Sequence, residues 1–250
     1  MNILLHKVRD VIQKVFRSSG YEINRYDPFK NEKDIYEIQK RLISKQKIKC
    51  VFDIGAWVGN TAEQYSGYFP EAVVHAFEPF PDSFSELERK SENPKFNIIP
   101  NKLAVSDEIG KSTFHSNVIE TTNSLLPSVN ANPKHDYTRE TKTKIEVDTI
   151  TIDQYCEDHN IDQINIIKMD IQGAELAALK GATNMLKGSR IDIIFCEVNF
   201  IEMYEGSPLY HDLAVFLEEY DYQLHNFYGF YYNDNHQLAW GDAIFKSSAV

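Results

Sequence analysis

The chain is short of cysteine, of basic charge and of long apolar runs, and each shortage excludes something. Its three cysteines, Cys50, Cys156 and Cys196, are far apart and odd in number. They fit buried thiols in a reducing, cytoplasmic setting better than a disulfide frame or a zinc site. The 26 Lys+Arg are outnumbered by 37 Asp+Glu, for a formal net charge of −11. That balance opposes binding to a nucleic-acid backbone, which relies on basic surface. Among the eight histidines no pair has the spacing of metal ligands on one helix face. No apolar run is long enough to span a bilayer. A signal peptide is not expected, because charges interrupt the first apolar stretch and no small-residue cleavage site follows. Internal repeats are absent as well.

One more absence is informative. The first glycine turn lacks the Gly-x-Gly-x-x-Gly spacing that lets a pyrophosphate lie against bare backbone at a helix N-terminus. The sequence instead reads Val51-Phe52-Asp53-Ile54-Gly55-Ala56-Trp57-Val58-Gly59-Asn60, an apolar strand running into a turn and then a helix. Ala56 and Trp57 stand between Gly55 and Gly59. A second strand, Val73-Val74-His75-Ala76-Phe77-Glu78, ends in a carboxylate 19 residues after Gly59. An acid at that place holds a ribose diol. A bulky indole beside the turn suits a nucleoside ligand without a pyrophosphate, and S-adenosylmethionine is such a ligand. Asp53 is then expected to offset its positive charge or to hold its amino group through water.

At 250 residues the chain fits one large domain with a small N-terminal attachment. Residues 1–47 read as a polar helical cap, 48–250 as the catalytic domain. Within the cap, Asn2 to Arg17 carries apolar residues at helical spacing with basic residues between them. Two readings stay open for it: packing on the domain, or a homodimer or membrane-surface contact. From Lys49 strand and helix alternate, which gives a parallel sheet with helices on both faces. Strands are expected at 50–54, 73–78, 96–104, 164–170 and 191–198, and helices at 60–68, 81–91, 174–187 and 208–219. The stretch 106–146 breaks this rhythm. It reads as an insertion starting on the ligand side of the sheet, with short strands at Ser112–His115 and Lys144–Asp148. A helix follows at Thr151–His159. Tyr222–Tyr228 and Leu238–Lys246 read as a closing antiparallel hairpin.

Three blocks of sequence resemble the FkbM-type family of S-adenosylmethionine-dependent methyltransferases. The first runs from Val51 to Gly59, with Ala76-Phe77-Glu78-Pro79 and Ala104-Val105-Ser106-Asp107 behind it. The second is Val147-Asp148-Thr149-Ile150-Thr151-Ile152-Asp153. The third is Ile166-Ile167-Lys168-Met169-Asp170-Ile171-Gln172-Gly173-Ala174-Glu175, continuing through Leu179-Lys180-Gly181-Ala182, with Glu197 closing the next strand. The resemblance covers about 50–246. Trp57 departs from it, since the family more often has Asn, His or a smaller group there. The resemblance implies a Rossmann-like class I methyltransferase fold: a seven-stranded, mostly parallel sheet with one antiparallel strand and helices on both faces. It also implies methyl transfer to a hydroxyl of a sugar, glycan or polyketide-like natural product.

Methyl transfer to an alcohol needs alignment and a base. Asp170, Glu175 and Glu197 compete for the base, and Asp170 is favoured, with the other two shaping the acceptor pocket. Each has a duller role open to it: Asp170 as a helix cap, Glu175 as a carboxylate held at a helix N-terminus, and Glu197 as a partner of Lys168 or a loop cap. The sequence does not show whether their oxygens converge on a divalent cation; they are read as base and pocket, with no metal. The expected cofactor contacts are Asp53, Gly55, Ala56, Gly59, Asn60, Glu78, Pro79, Ser106, Asp107 and Asp170. Thr121, Thr122, Asn123 and Ser124 are candidates to touch either ligand. His225, beside the aromatic run Phe227 to Tyr232, is read as structural before functional. Two competing functions remain: an NAD-dependent oxidoreductase or epimerase, and a non-catalytic cofactor-binding subunit.

Overall fold

The elements succeed one another much as the hydrophobic pattern requires. The computed structural model describes residue 16 and residues 34–43, 47–129 and 140–250. The chain divides into two compact units, 1–38 and 39–250, and the second carries both sheets. The amphipathic stretch Asn2 to Arg17 and the turn Tyr26-Asp27-Pro28-Phe29 fall, Phe16 aside, outside the described residues. In chain order the described elements are α1 (Ile35–Leu42), β1 (Cys50–Ile54), α2 (Asn60–Tyr68), β2 (Val73–Phe77), α3 (Pro81–Ser91), β3 (Ile98–Asn101), β4 (Ala104–Val105) and β5 (Gly110–Asn117). There follow β6 (Thr141–Ile150), α4 (Ile152–His159), β7 (Ile164–Met169), α5 (Glu175–Lys180), α6 (Thr183–Lys187), β8 (Ile191–Asn199), α7 (Tyr210–Glu218), β9 (Tyr222–Tyr232) and β10 (Leu238–Ser247).

Seven strands form one sheet in the order β3-β2-β1-β7-β8-β10-β9. All are parallel except β10, which runs against both β8 and β9. The central strands β1 and β7 are buried along their whole length, as near-continuous apolar runs require. One face packs Phe52, Ile54, Ile167, Met169, Ile194 and Cys196 into the main core. The strand order reverses between β1 and β7, and ligands of open α/β sheets bind outside the carboxyl ends at such a point.

Three local expectations are corrected. The strand expected at 96–104 ends at Asn101, and Ala104–Val105 belong to a second sheet of order β4-β6-β5. Pro100 sits within β3, an edge strand, where a missing donor is tolerated. Asn101 then turns its Nδ2 onto the carbonyls of Ala76 and Ile99. In the insertion, the strands expected at Ser112–His115 and Lys144–Asp148 run longer, over Gly110–Asn117 and Thr141–Ile150. β5 and β6 pair antiparallel from Gly110↔Thr149 to Asn117↔Thr141. Phe114, Ala104 and Val147 give this sheet a small core of its own, with Phe80, Leu125 and Ile145 packed against it. Finally, the helix expected over 174–187 breaks into α5 and α6 at Gly181. A Cβ there would stand 2.2 Å from the Ser106 carbonyl oxygen. Asp153 caps the second piece, accepting from the amides of Asn184 and Met185 at 2.8 and 3.0 Å.

Candidate active site

The glycine turn after β1 is built by the end of β2. The amides of Gly55 and Ala56 both donate to the Phe77 carbonyl, at 3.1 and 3.0 Å. Gly55 has φ +77, and a Cβ there would lie 2.0 Å from the Asp170 carbonyl oxygen. Glycine is therefore needed where two strand ends meet, as well as for ligand approach. Trp57 adopts φ +48, a conformation rare for a bulky residue. Its amide donates to Glu78 Oε2 at 2.9 Å, and the Phe80 amide donates to Glu78 Oε1 at 2.8 Å. Glu78 thus clamps the two loops together. Burial pushes its carboxyl up to about 7 against the opposing pull of those two amides.

A pocket opens at these carboxyl ends. Of the expected residues it is lined by Gly55, Ala56, Asn60, Glu78, Pro79 and Asp170, with Trp57, Thr121 and Asn123. The Asn60 side-chain oxygen accepts from Lys90. The insertion covers the pocket through Phe114, Glu120 and Leu125. One hydrogen bond ties the cover down, from Ser124 Oγ to the Gln172 carbonyl at 2.7 Å, and the Tyr204 hydroxyl lies 3.0 Å from the Thr122 carbonyl.

Other expected residues lie elsewhere. Asp53 is wholly buried behind the turn, with Oδ1 3.2 Å from Lys168 Nζ. Lys168 also donates to the Gly55 carbonyl at 3.0 Å. The charge expected to face a cofactor therefore faces a lysine, because β1 and β7 place the two in register. Gly59 starts α2 with φ +83 and packs on Leu87. Ser106 approaches Gly181, and Asp107 lines a separate polar hollow beside α4 and α6. Glu175 is buried, and its two oxygens accept from the amides of Ile171 and Gly173, both at 3.0 Å. It holds the turn after β7, and burial pushes its carboxyl up to about 7. Glu197 does not line the pocket but lies 3.4 Å from Gln172 Nε2. His225, on β9, is not among the lining residues. Among the described residues no three His, Cys, Asp or Glu side chains are grouped as metal ligands would be.

Two residues without an assigned role organise the site. Gln172, at φ +56, donates from Nε2 to Asp170 Oδ1 at 2.8 Å, while its Oε1 accepts from Tyr204 at 2.6 Å. Asp242 of β10 stands opposite Glu197 of β8. Its carboxyl is pushed up to about 6 by burial and by the negative charge of Asp170. The sequence carried a signal for Lys168, a lone charge in the strand Ile164-Asn165-Ile166-Ile167-Lys168-Met169. It carried none for the left-handed turn that aims Gln172.

The strand order, the single antiparallel strand and a pocket at the switch point define a class I methyltransferase fold. Within that class the chain belongs to the FkbM methyltransferase family, whose domain model matches residues 53–224. It is 29% identical over 173 residues to the hexuronic acid methyltransferase AglP of Haloferax volcanii, covering 69% of this chain and 65% of that protein. It is 27% identical over 163 residues to the 2-O-methyltransferase NoeI of Sinorhizobium fredii, covering 62% and 65%. The alignments thus span a little under two thirds of each curated relative. Solved structures with a similar course include M. capricolum TrmK with S-adenosylhomocysteine, at TM-score 0.45 and 10% identity over 85% of this chain and 67% of that one. Magnesium protoporphyrin IX methyltransferase from Synechocystis PCC 6803 gives 0.46 and 10% over 96% of each. Likenesses this distant bear on neither activity nor substrate.

Proposed function

We propose that the protein is an S-adenosylmethionine-dependent O-methyltransferase acting on a hydroxyl of a sugar, glycan or polyketide-like natural product. Beside family membership, the observation that carries this reading is one pocket lined by both Glu78 and Asp170. Glu78 would accept from a ribose diol, the Gly55–Trp57 turn would hold the amino-acid tail, and Leu103, Val105 and Phe114 would wall the adenine. The pocket's lysine, Lys168, is already engaged by Asp53. A pyrophosphate would meet the carboxylates of Glu78 and Asp170 there, whereas a cationic donor is favoured.

When bound, S-adenosylmethionine supplies an electrophilic methyl group and a neutral thioether as leaving group. The chain must orient the acceptor and take its proton. Asp170 Oδ1 already accepts from Gln172, which fixes the carboxylate and leaves Oδ2 to receive the hydroxyl proton. Such a base is worth about 10²–10⁴-fold.

S-adenosylhomocysteine at about 100 times its Kd should stabilise the fold by about 2.7 kcal/mol, read as a rise in melting temperature. NAD at equal concentration should leave the melt unchanged. An equal rise with NAD would favour the oxidoreductase reading. Binding without methyl transfer to any hydroxyl acceptor would favour the non-catalytic one.

Glu78→Gln should lower cofactor affinity at least tenfold, since a charge-assisted hydrogen bond is worth about 1.5–3 kcal/mol. The pH profile has a defined sign. The diol needs an ionised acceptor, so wild-type affinity should fall as pH drops through about 7. In Glu78→Gln calorimetry should show a flat profile. The unliganded fold moves the other way. A carboxyl raised from 4.5 to about 7 stabilises fully below 4.5, and that stability is lost as pH rises through 7.

A further inference from the structure

The register of the last three strands places a row of side chains beside the pocket. β8 and β10 pair Glu197 with Asp242 and Asn199 with Trp240. Opposed residues, and residues two apart, share a face of a sheet. These four therefore lie on one face, opposite the main core. Trp240 pairs in turn with Tyr231 of β9, and the two rings stack at 5.1 Å with an interplanar angle of 11°. Tyr231 is 56% exposed, and Phe230 and Tyr232 beside it are exposed too. Edge hairpins ordinarily carry charge at such positions; this one carries rings. Asn199 is buried, and its Oδ1 has no hydrogen-bond partner. Gln172 joins the row to the pocket, lying 2.8 Å from Asp170 and 3.4 Å from Glu197.

We propose that the methyl acceptor is an uncharged oligosaccharide, which runs from the pocket along Glu197 and Asp242 and stacks a ring on the Tyr231–Trp240 pair. This rests on the methyl-transfer reading above. Sugar hydroxyls donate to the carboxylates, while the apolar face of a pyranose covers aromatic rings that water otherwise wets. Glu120, Asp170, Glu197 and Asp242 make the path anionic, and Lys168 is engaged by Asp53 and Gly55. A hexuronic acid would bring a like charge into that path, which disfavours it. The acceptor class thus differs from the one in the name of the Haloferax relative.

The test is a panel of immobilised oligosaccharides, uncharged and hexuronic-acid-containing, probed with the full chain saturated with S-adenosylhomocysteine. Binding should fall on uncharged members and weaken about fivefold in Tyr231→Ala and in Trp240→Ala, a loss in the range of an aromatic contact. Cofactor affinity and melting temperature should be unchanged in Tyr231→Ala, whose ring is largely exposed. Binding confined to hexuronic-acid members would overturn the proposal. So would unweakened binding in both variants, or no binding to any member by protein that calorimetry shows to hold S-adenosylhomocysteine. Failure to take up S-adenosylhomocysteine would instead overturn the methyl-transfer reading, and this proposal with it.

Discussion

Gly55→Ala should be the most damaging single change in the site. The new methyl would stand 2.0 Å from the Asp170 carbonyl oxygen, 2.9 Å from its carbon and 3.0 Å from Ile171 Cγ2. The first two are backbone atoms, so no side chain can swing aside. The left-handed φ adds about 1–2 kcal/mol. Relief requires β1 and β7 to part where they are hydrogen-bonded, since the Asp170 amide donates to the Ile54 carbonyl at 3.1 Å. A loss of more than about 4 kcal/mol is expected, with cofactor binding abolished in whatever folded protein remains. Gly67→Ala is the control. It lies within α2 with nothing within 4 Å of its added Cβ, so stability should hold or rise by about 0.5–1 kcal/mol. Urea melts of both variants decide the matter. Similar stability in the two would mean that the turn is not held as described.

Asp170→Asn should separate chemistry from architecture. The asparagine oxygen can still accept from Gln172 Nε2, so the side chain stays in place. What it cannot do is take a proton. Turnover should fall by about 10²-fold or more, while S-adenosylhomocysteine binds nearly as before. An exposed strand-end residue that only capped a helix would be served almost as well by asparagine. Near-normal turnover would therefore remove Asp170 from the mechanism and move attention to Glu197 and Asp242, its neighbours across Gln172 and the sheet.

The parallel core was legible because buried strands and amphipathic helices leave periodic traces. The turn at Gly55 and the acid at Glu78 were legible because their positions at strand ends follow from those traces. Asp53 misled for the same reason that Lys168 was passed over. Each is a charge inside an apolar strand, and only register shows that the two charges neutralise each other. Gln172 and Asp242 were missed because their roles come from a left-handed turn and a cross-strand pairing, both long-range facts. The small sheet was underestimated because its own apolar cluster gathers Phe114, Ala104 and Val147, while its buried His115, Ser116, Asn117 and Thr149 are polar. That is too few apolar positions to stand out from a loop.

The neck of this small sheet carries a consequence for how the family can vary. The chain departs at Ala104–Val105 and returns at Thr149–Ile150, and these two pairs lie hydrogen-bonded side by side. The excursion between them is closed at its base, like a purse drawn by its string. Once the base is fixed, lengthening what lies beyond it is thermodynamically mild, about 0.6 kcal/mol for each doubling of a flexible loop. The roof of the pocket can thus be lengthened at little cost while the seven-stranded floor keeps its shape.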